Sequence, residues 1–232
     1  CKNFFVLGIA CWLYSRPSEP VLQWIEGKFK KDPDIMKANQ TAFSGGWNYA
    51  ECSEAFTHHF VIHLPKKTKQ AGVYRYVSGN TSIALGLMAA ANKSGLPLFL
   101  GSYPITPATD ILQELSKYKH FHVTTFQAED ELAAIGSAIG ASFAGSLAAT
   151  STSGPGLALK GEFINLAVMT ELPLVIIDVQ RAGPSTGLPT KTEQSDLLQS
   201  LWGRNGESPI AVLAARSPAD CFDVAFEAAK IA

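Results

Sequence analysis

Four short segments carry side chains whose types and spacing could act on a small anionic molecule. In Gly101-Ser102-Tyr103-Pro104-Ile105-Thr106-Pro107, Pro104 and Pro107 stiffen a loop that offers the Thr106 hydroxyl to a ligand. The plainer reading makes Thr106 a helix cap with Pro107 at the first helical position, and the spacing favours it. In Gln127-Ala128-Glu129-Asp130-Glu131, three acids open a helix, where they complement its dipole. A helical wheel puts Leu132, Ile135, Ile139 and Phe143 on the apolar stripe, Asp130 nearly opposite, and Glu129 and Glu131 at its flanks. A flanking glutamate, half buried, could have a perturbed pKa, and periodicity does not choose between the two. Thr150-Ser151-Thr152-Ser153-Gly154-Pro155-Gly156 ends a strand in a turn whose glycines permit close backbone approach to a ligand. The turn is neither of the common phosphate loops, so nucleotide binding has weak support. Arg181 opens the loop Ala182-Gly183-Pro184-Ser185-Thr186-Gly187-Leu188-Pro189-Thr190. It serves either as half of a salt bridge or as a planar fork for a carboxylate.

These segments share one context. Strand-like runs are expected at Val73–Val77, Pro97–Gly101, Phe121–Phe126, Leu147–Thr152, Leu174–Gln180 and Ile210–Ala214. Helical periodicity is expected at Ile83–Asn92, Pro107–Lys117, Glu129–Phe143, Leu157–Glu171, Thr192–Trp202 and Pro218–Ile231. Ser217 is placed as the cap of the last helix, with Pro218 at its first position. The alternation implies an α/β fold, a parallel sheet with helices on both faces. Ligands of such sheets bind at the carboxyl ends of the strands, and each of the four segments follows a strand.

Ahead of this pattern, the apolar run Phe4–Tyr14 reads as a buried element, too short to span a bilayer. Helices are expected around Val21–Phe29 and Asp34–Ala42. So few elements read as the end of a domain, residues 1–64. Residues 65–72, Pro65-Lys66-Lys67-Thr68-Lys69-Gln70-Ala71-Gly72, read as a linker, with a second domain over 73–232. His58, His59 and His63 lie close together, but no Cys or carboxylate completes a zinc set. The chain starts at Cys1 and stops within a helical pattern at Ala232, so it is expected to be a piece of a longer protein.

Composition narrows the field. Charged residues are 17% of the chain and hydrophobic ones 47%, which supports a large core and argues against disorder. The formal net charge of -1 leaves no basic footprint for nucleic acid. Residues 1–72 carry +3 and residues 73–232 carry -4. The four cysteines stand apart, so neither a cysteine metal cluster nor a disulfide framework is expected, and a reducing cytoplasm is the default setting.

Taken in order, SYPITPATD, AEDELAAIGSAIGASFAG, ATSTSGPGLAL and VQRAGPSTGLPTKTEQSDL resemble the alpha subunit of 2-oxoacid:ferredoxin oxidoreductases. The resemblance implies a thiamine diphosphate-binding fold, with the pyrimidine-type domain at 73–232 and the end of a gamma-type domain at 1–64. It implies that Glu131 is the carboxyl group on the aminopyrimidine ring, which turns the ring's amino group into an internal base. It also implies that Thr106 and Arg181 contact the 2-oxoacid and that Pro104 belongs to the same cofactor loop. The diphosphate, magnesium and an iron–sulfur cluster are then expected in a beta subunit, which completes the active site across an interface. The activity implied is oxidative decarboxylation of a 2-oxoacid to an acyl-CoA, with electrons passed to ferredoxin. The fused gamma–alpha layout resembles the 2-oxoglutarate branch; pyruvate and branched 2-oxoacids are the alternatives. A non-oxidative thiamine enzyme shares a Ser-Gly-Pro-Gly turn, but the Arg181 loop and the gamma-like tail count against it. A purely structural subunit is disfavoured by the retained Glu, Thr and Arg.

Overall fold

Helix formation in the first part of the chain is driven by aromatic and aliphatic residues that close a small core. The computed structural model describes residues 1–53, 56–61 and 73–232, which fall into two compact units, Cys1–Val73 and Tyr74–Ala232. The expected linker at 65–72 and His63 lie outside the described residues. In the first unit, α1 (Lys2–Leu13), α2 (Glu19–Phe29) and α3 (Pro33–Cys52) pack around Cys11, Ile25 and Phe43. Asp32 caps α3 by accepting from the Ile35 N–H at 3.1 Å. That helix runs ten residues beyond the expected Ala42. Its polar stretch still forms helix because α1 packs along it, with Gly8 and Gly46 where the two backbones touch. The run Phe4–Tyr14 is half buried rather than buried: Val6 is 61% and Tyr14 43% exposed.

The second unit follows the β/α alternation. Its elements are α4 (Gly79–Ser94), β1 (Leu98–Ser102), α5 (Thr109–Leu115), β2 (Val123–Gln127), α6 (Glu131–Phe143), β3 (Leu147–Thr152), α7 (Gly154–Leu159), α8 (Gly161–Met169), β4 (Val175–Asp178), α9 (Leu197–Trp202) and α10 (Asp220–Ile231). A 3-10 turn over Ser116–Phe121 links α5 to β2. The four strands form one parallel sheet in the order β2-β1-β3-β4. Every residue of β3 is buried, as a central parallel strand requires.

Alternation along the strands divides the core. Leu98, Leu100, Ala149 and Ile177 join Leu87 of α4, Ile111 of α5 and Ala225 of α10 in one cluster. Ile135 and Ile139 of α6 join Leu157, Ile164 and Ile176 in another. Gly101 lets α6 approach β1, because a Cβ there would meet the Ala134 carbonyl and the Ser137 hydroxyl. Helices therefore cover both faces, as expected. The Ser217 hydroxyl accepts from the Asp220 N–H at 3.1 Å as expected, but α10 begins at Asp220 rather than at Pro218.

Two expected strands are absent. Val73–Val77 and Ile210–Ala214 have no ladder partner among the described residues. Val73 and Tyr76 are 96% and 100% exposed, so an apolar run without a neighbouring strand stays irregular. Pro209 withholds an N–H at the start of the other run, although Ile210 still packs on the second cluster. The single helix expected over Leu157–Glu171 is broken at Lys160, which ends α7 and precedes α8.

Candidate active site

The strand order places β1 and β3 side by side while their crossovers lead to opposite edges. This is a topological switch point, where the loops beyond the carboxyl ends diverge and leave a crevice. The β1 loop (with Pro104 and Thr106) and the β3 turn (Ser153–Gly156) form its sides. The start of α6 after β2 and the Arg181 loop after β4 flank them. All four chemistry-bearing segments thus belong to one end of the sheet.

Thr106 is not a helix cap. The helix begins three residues later at Thr109, whose N–H and hydroxyl both bond the Ile105 carbonyl at 3.0 Å. The Pro104-Ile105-Thr106-Pro107 segment stays a loop outside the helix, so Thr106 and Pro104 are exposed, and the Thr106 hydroxyl has no partner among the described residues. The Thr106 carbonyl, by contrast, accepts from Arg181 Nη1 at 2.7 Å. Arg181 Nη2 donates to the Thr186 carbonyl at 2.7 Å, while Nε has no partner. Arg181 is buried, and its partners are two main-chain carbonyls rather than an acid. The loop it opens closes on itself through the Ala182–Leu188 bridge and the Gly183 N–H to Glu193 contact at 2.8 Å. Gly187 sits at φ +58, where a Cβ would also strike the Ala182 carbonyl, so the closure needs glycine.

Asp130 is the cap of α6, its carboxylate accepting from the Ala133 N–H at 2.7 Å. Glu129 precedes the helix and is exposed, whereas Glu131 is half buried. The Glu131 side chain lies against the β3 turn: a Cβ on Gly156 would come 3.1 Å from Glu131 Cγ and collide with the Thr152 hydroxyl. The apolar stripe of α6 differs from the expected one. Ala134, Ile135, Ala138, Ile139 and Ser142 are buried, but Leu132 and Phe143 are 41% and 82% exposed. The small residues face the sheet because Gly101 draws the helix close.

Two groups at this end escape a reading of spacing. Lys160 is fully buried, and its Nζ donates to the Glu131 carbonyl at 3.1 Å. Burial pulls its pKa down to about 8, against the opposing attraction of Glu131 and Asp130. Its signal in the sequence was a lysine on the face it shares with Ile164 and Ala167. The second is the carboxyl pair Asp178 and Asp196, at the end of β4 and the start of α9. Burial, then repulsion from Asp196, pushes Asp178 up to about 7. Asp178 Oδ1 and Asp196 Oδ2 are buried oxygens without a hydrogen-bond partner among the described residues. The Asp196 carboxylate occupies the space a Cβ on Gly154 would need. An open recess of about 520 Å³ lined by Gln180, Thr192, Glu193 and Gln194 borders the same loop.

Among the described residues no three His, Cys, Asp or Glu gather as a metal site, and no helix is long and apolar enough to cross a membrane. His58 bonds the Thr57 hydroxyl at 2.8 Å, and the His59 ring lies tilted against Trp12.

Residues 90–232 match the family model described as pyruvate flavodoxin/ferredoxin oxidoreductase, thiamine diphosphate-binding. The chain is 59% identical, over its whole length, to the 2-oxoglutarate oxidoreductase subunit KorA of Mycobacterium tuberculosis, of which it covers 35%. It is 42% identical over 68% of its length to the 2-oxoglutarate synthase subunit KorA of Methanothermobacter marburgensis, covering 41% of it. Its fold matches a 2-oxoglutarate:ferredoxin oxidoreductase from Magnetococcus marinus with 2-oxoglutarate, coenzyme A and succinyl-CoA bound. That match has a TM-score of 0.75 and 36% identity, over 98% of this chain and 38% of the other. The chain thus spans about a third of the length of the first of these relatives.

Proposed function

Since the chain belongs to the pyruvate flavodoxin/ferredoxin oxidoreductase family through its thiamine diphosphate-binding part, we propose that it forms part of the alpha subunit of a 2-oxoacid:ferredoxin oxidoreductase. Residues 1–64 are the end of a gamma-type domain, 65–72 the linker, and 73–232 the pyrimidine-binding domain. The full enzyme decarboxylates 2-oxoglutarate, transfers the succinyl group to coenzyme A and hands two electrons to ferredoxin. A beta subunit supplies the diphosphate and magnesium site and the iron–sulfur cluster. The complex works in the cytoplasm.

One observation carries this reading: Thr106 and Arg181, 75 residues apart, are joined at the crevice where Glu131 packs on the Gly156 turn. The residues fit the cofactor's needs. Gly154 and Gly156 make room for the Asp196 carboxylate and for Thr152 and Glu131, and the buried Ser153 hydroxyl beside them has no partner among the described residues. Thiamine diphosphate, when bound, supplies the nucleophile for a ketone carbon and a sink for the electrons left by decarboxylation. Glu131 holds the ring nitrogen of its aminopyrimidine and passes a proton there. Pro104 stiffens the loop that would face the ring. The Thr106 hydroxyl donates to the 2-oxoacid carbonyl oxygen. Arg181 Nε and the remaining Nη hydrogens hold the adjacent carboxylate, while its carbonyl bonds keep the fork aimed.

The test is co-purification of the full-length subunit with a beta subunit, then a ferredoxin-coupled assay with coenzyme A and a panel of 2-oxoacids. Turnover is expected with 2-oxoglutarate and lost in Glu131→Gln with assembly intact. Full activity in Glu131→Gln would remove the cofactor assignment. Preference for pyruvate or a branched 2-oxoacid would replace the substrate, and release of an aldehyde without ferredoxin reduction would favour a non-oxidative enzyme.

A further inference from the structure

Lys160 has no part in the reading above, yet it is a fully buried cation beside the glutamate on which that reading turns. Its hydrogen bond is unusual in aim. The Nζ reaches from the α7–α8 junction to the carbonyl of Glu131, 29 residues away, at 3.1 Å. As the first residue of α6, Glu131 already spends its carbonyl on the intrahelical bond to the fourth residue on. The lysine is therefore not needed to satisfy that oxygen. A hydrophobic side chain of the same length would fill the same volume without desolvating a charge. A fold optimised for stability alone would have no use for an ammonium here.

What the ammonium does provide is a fixed point and a field. The strands β1, β2 and β3 and the helices α7 and α8 pack on α6. Their sequences bring charge near it only through Lys160 and Glu162, and Glu162 is exposed. The acids that face Lys160 are Glu131 and Asp130. Lys160 stands at the junction of α7 and α8.

We propose that Lys160 is a positioning residue for Glu131: it pins the first turn of α6 by the Glu131 carbonyl and sets a positive charge under the two acids of that turn. The carboxylate is thereby held toward the crevice, ready for the ring it must contact. This rests on the assignment of Glu131 proposed above. The lysine touches neither substrate nor cofactor.

The test uses the full-length subunit in complex with its beta subunit, as Lys160→Met and Lys160→Arg. Three quantities are measured: the thermal midpoint, thiamine diphosphate affinity by fluorescence titration without turnover, and kcat with KM for the 2-oxoacid. For Lys160→Met, the midpoint is expected to hold or rise. Cofactor affinity and kcat are each expected to fall about tenfold, with KM within about twofold. Lys160→Arg, which can still donate to the carbonyl, is expected to recover part of the affinity. Affinity and kcat within twofold of the parent would overturn the proposal. So would an activity loss that merely follows a lowered midpoint. If Lys160→Met does not assemble, Lys160→Gln carries the same measurements, and failure of both makes Lys160 a residue of the fold and overturns it too. Glu131→Gln is run beside them: if it stays active, the assignment of Glu131 fails whatever Lys160 does. If Glu131→Gln is dead while Lys160→Met is unaffected, only the lysine proposal fails.

Discussion

The guanidinium of Arg181 donates to the main-chain carbonyl of Thr106 at 2.7 Å, so the loops after β1 and β4 are locked by one side chain. Because the acceptor is backbone, the contact is indifferent to the side chain at 106. Anchoring and chemistry at Thr106 can therefore be separated by mutation.

Thr106→Val keeps the carbonyl and the volume but removes the hydroxyl. Stability is expected to change by less than about 0.5 kcal/mol, as for an exposed position without structural partners. KM for the 2-oxoacid is expected to rise at least about tenfold, near 1.4 kcal/mol. Steady-state kinetics beside a denaturation curve check this, and an unchanged KM would remove Thr106 from the substrate site.

Arg181→Ala should show both effects. Losing charged donors to the Thr106 and Thr186 carbonyls is expected to lower stability by about 2–4 kcal/mol. KM is expected to rise more than in Thr106→Val. Arg181→Lys, a point charge that cannot span both carbonyls, should recover little. A stability loss with unaltered KM would make Arg181 a structural clamp and nothing more.

Gly156→Ala tests the wall on which Glu131 rests. The new methyl group collides with the Thr152 hydroxyl and comes 3.1 Å from Glu131 Cγ. The expected stability loss is about 1–3 kcal/mol, typical of overpacking. A displaced Glu131 should lower kcat by roughly ten- to hundredfold, since small misplacements are costly in catalysis. Kinetics at a temperature where the variant is fully folded separate the two. Wild-type kcat there would mean that Glu131 does not depend on this wall.

The Asp178 carboxyl gives the fold a pH dependence of definite sign. Its pKa rises from 3.8 to about 7 on folding, so between those values the folded state binds more protons than the unfolded one. Stability must then fall as pH rises from about 4 to about 7 and level off above. One pKa unit corresponds to about 1.4 kcal/mol, and partial solvation reduces the total to roughly 1–2 kcal/mol. Denaturation midpoints of wild type and Asp178→Asn across this range provide the check. The variant should lack that fall; a parallel fall in both would clear Asp178 of the effect.

Much of this architecture is legible in the sequence. β1 through β4 lie within two residues of the runs that announced them. The Ser217 hydroxyl meets the Asp220 N–H as read, because capping is a contact across three residues, whereas Asp130, read as part of the first turn of α6, is its cap. The segments bearing Thr106, Glu131 and Arg181 could be placed at strand ends for the same local reason. The spacing misled where a local rule had a rival. Thr106 looked like a cap, yet the chain spends three more residues as loop and starts its helix at Thr109. Leu132 and Phe143 looked like core, yet Gly101 draws the small-residue face of α6 onto the sheet.

The sequence by itself thus determined the order of β1 to β4 and the alternation with helices, the Ser217 contact, and which loops hold side chains fit for chemistry. Each of these depends on neighbours within about one helical turn or one strand pleat. The tertiary structure alone decided the partners. It set the order β2-β1-β3-β4, which opens the crevice between β1 and β3. It gave Arg181 two carbonyls instead of an acid, brought Lys160 beneath Glu131, and faced Asp178 with Asp196. These contacts join residues up to 75 positions apart, and hydrogen-bond geometry and dielectric at such sites arise only once the sheet has stacked the loops together.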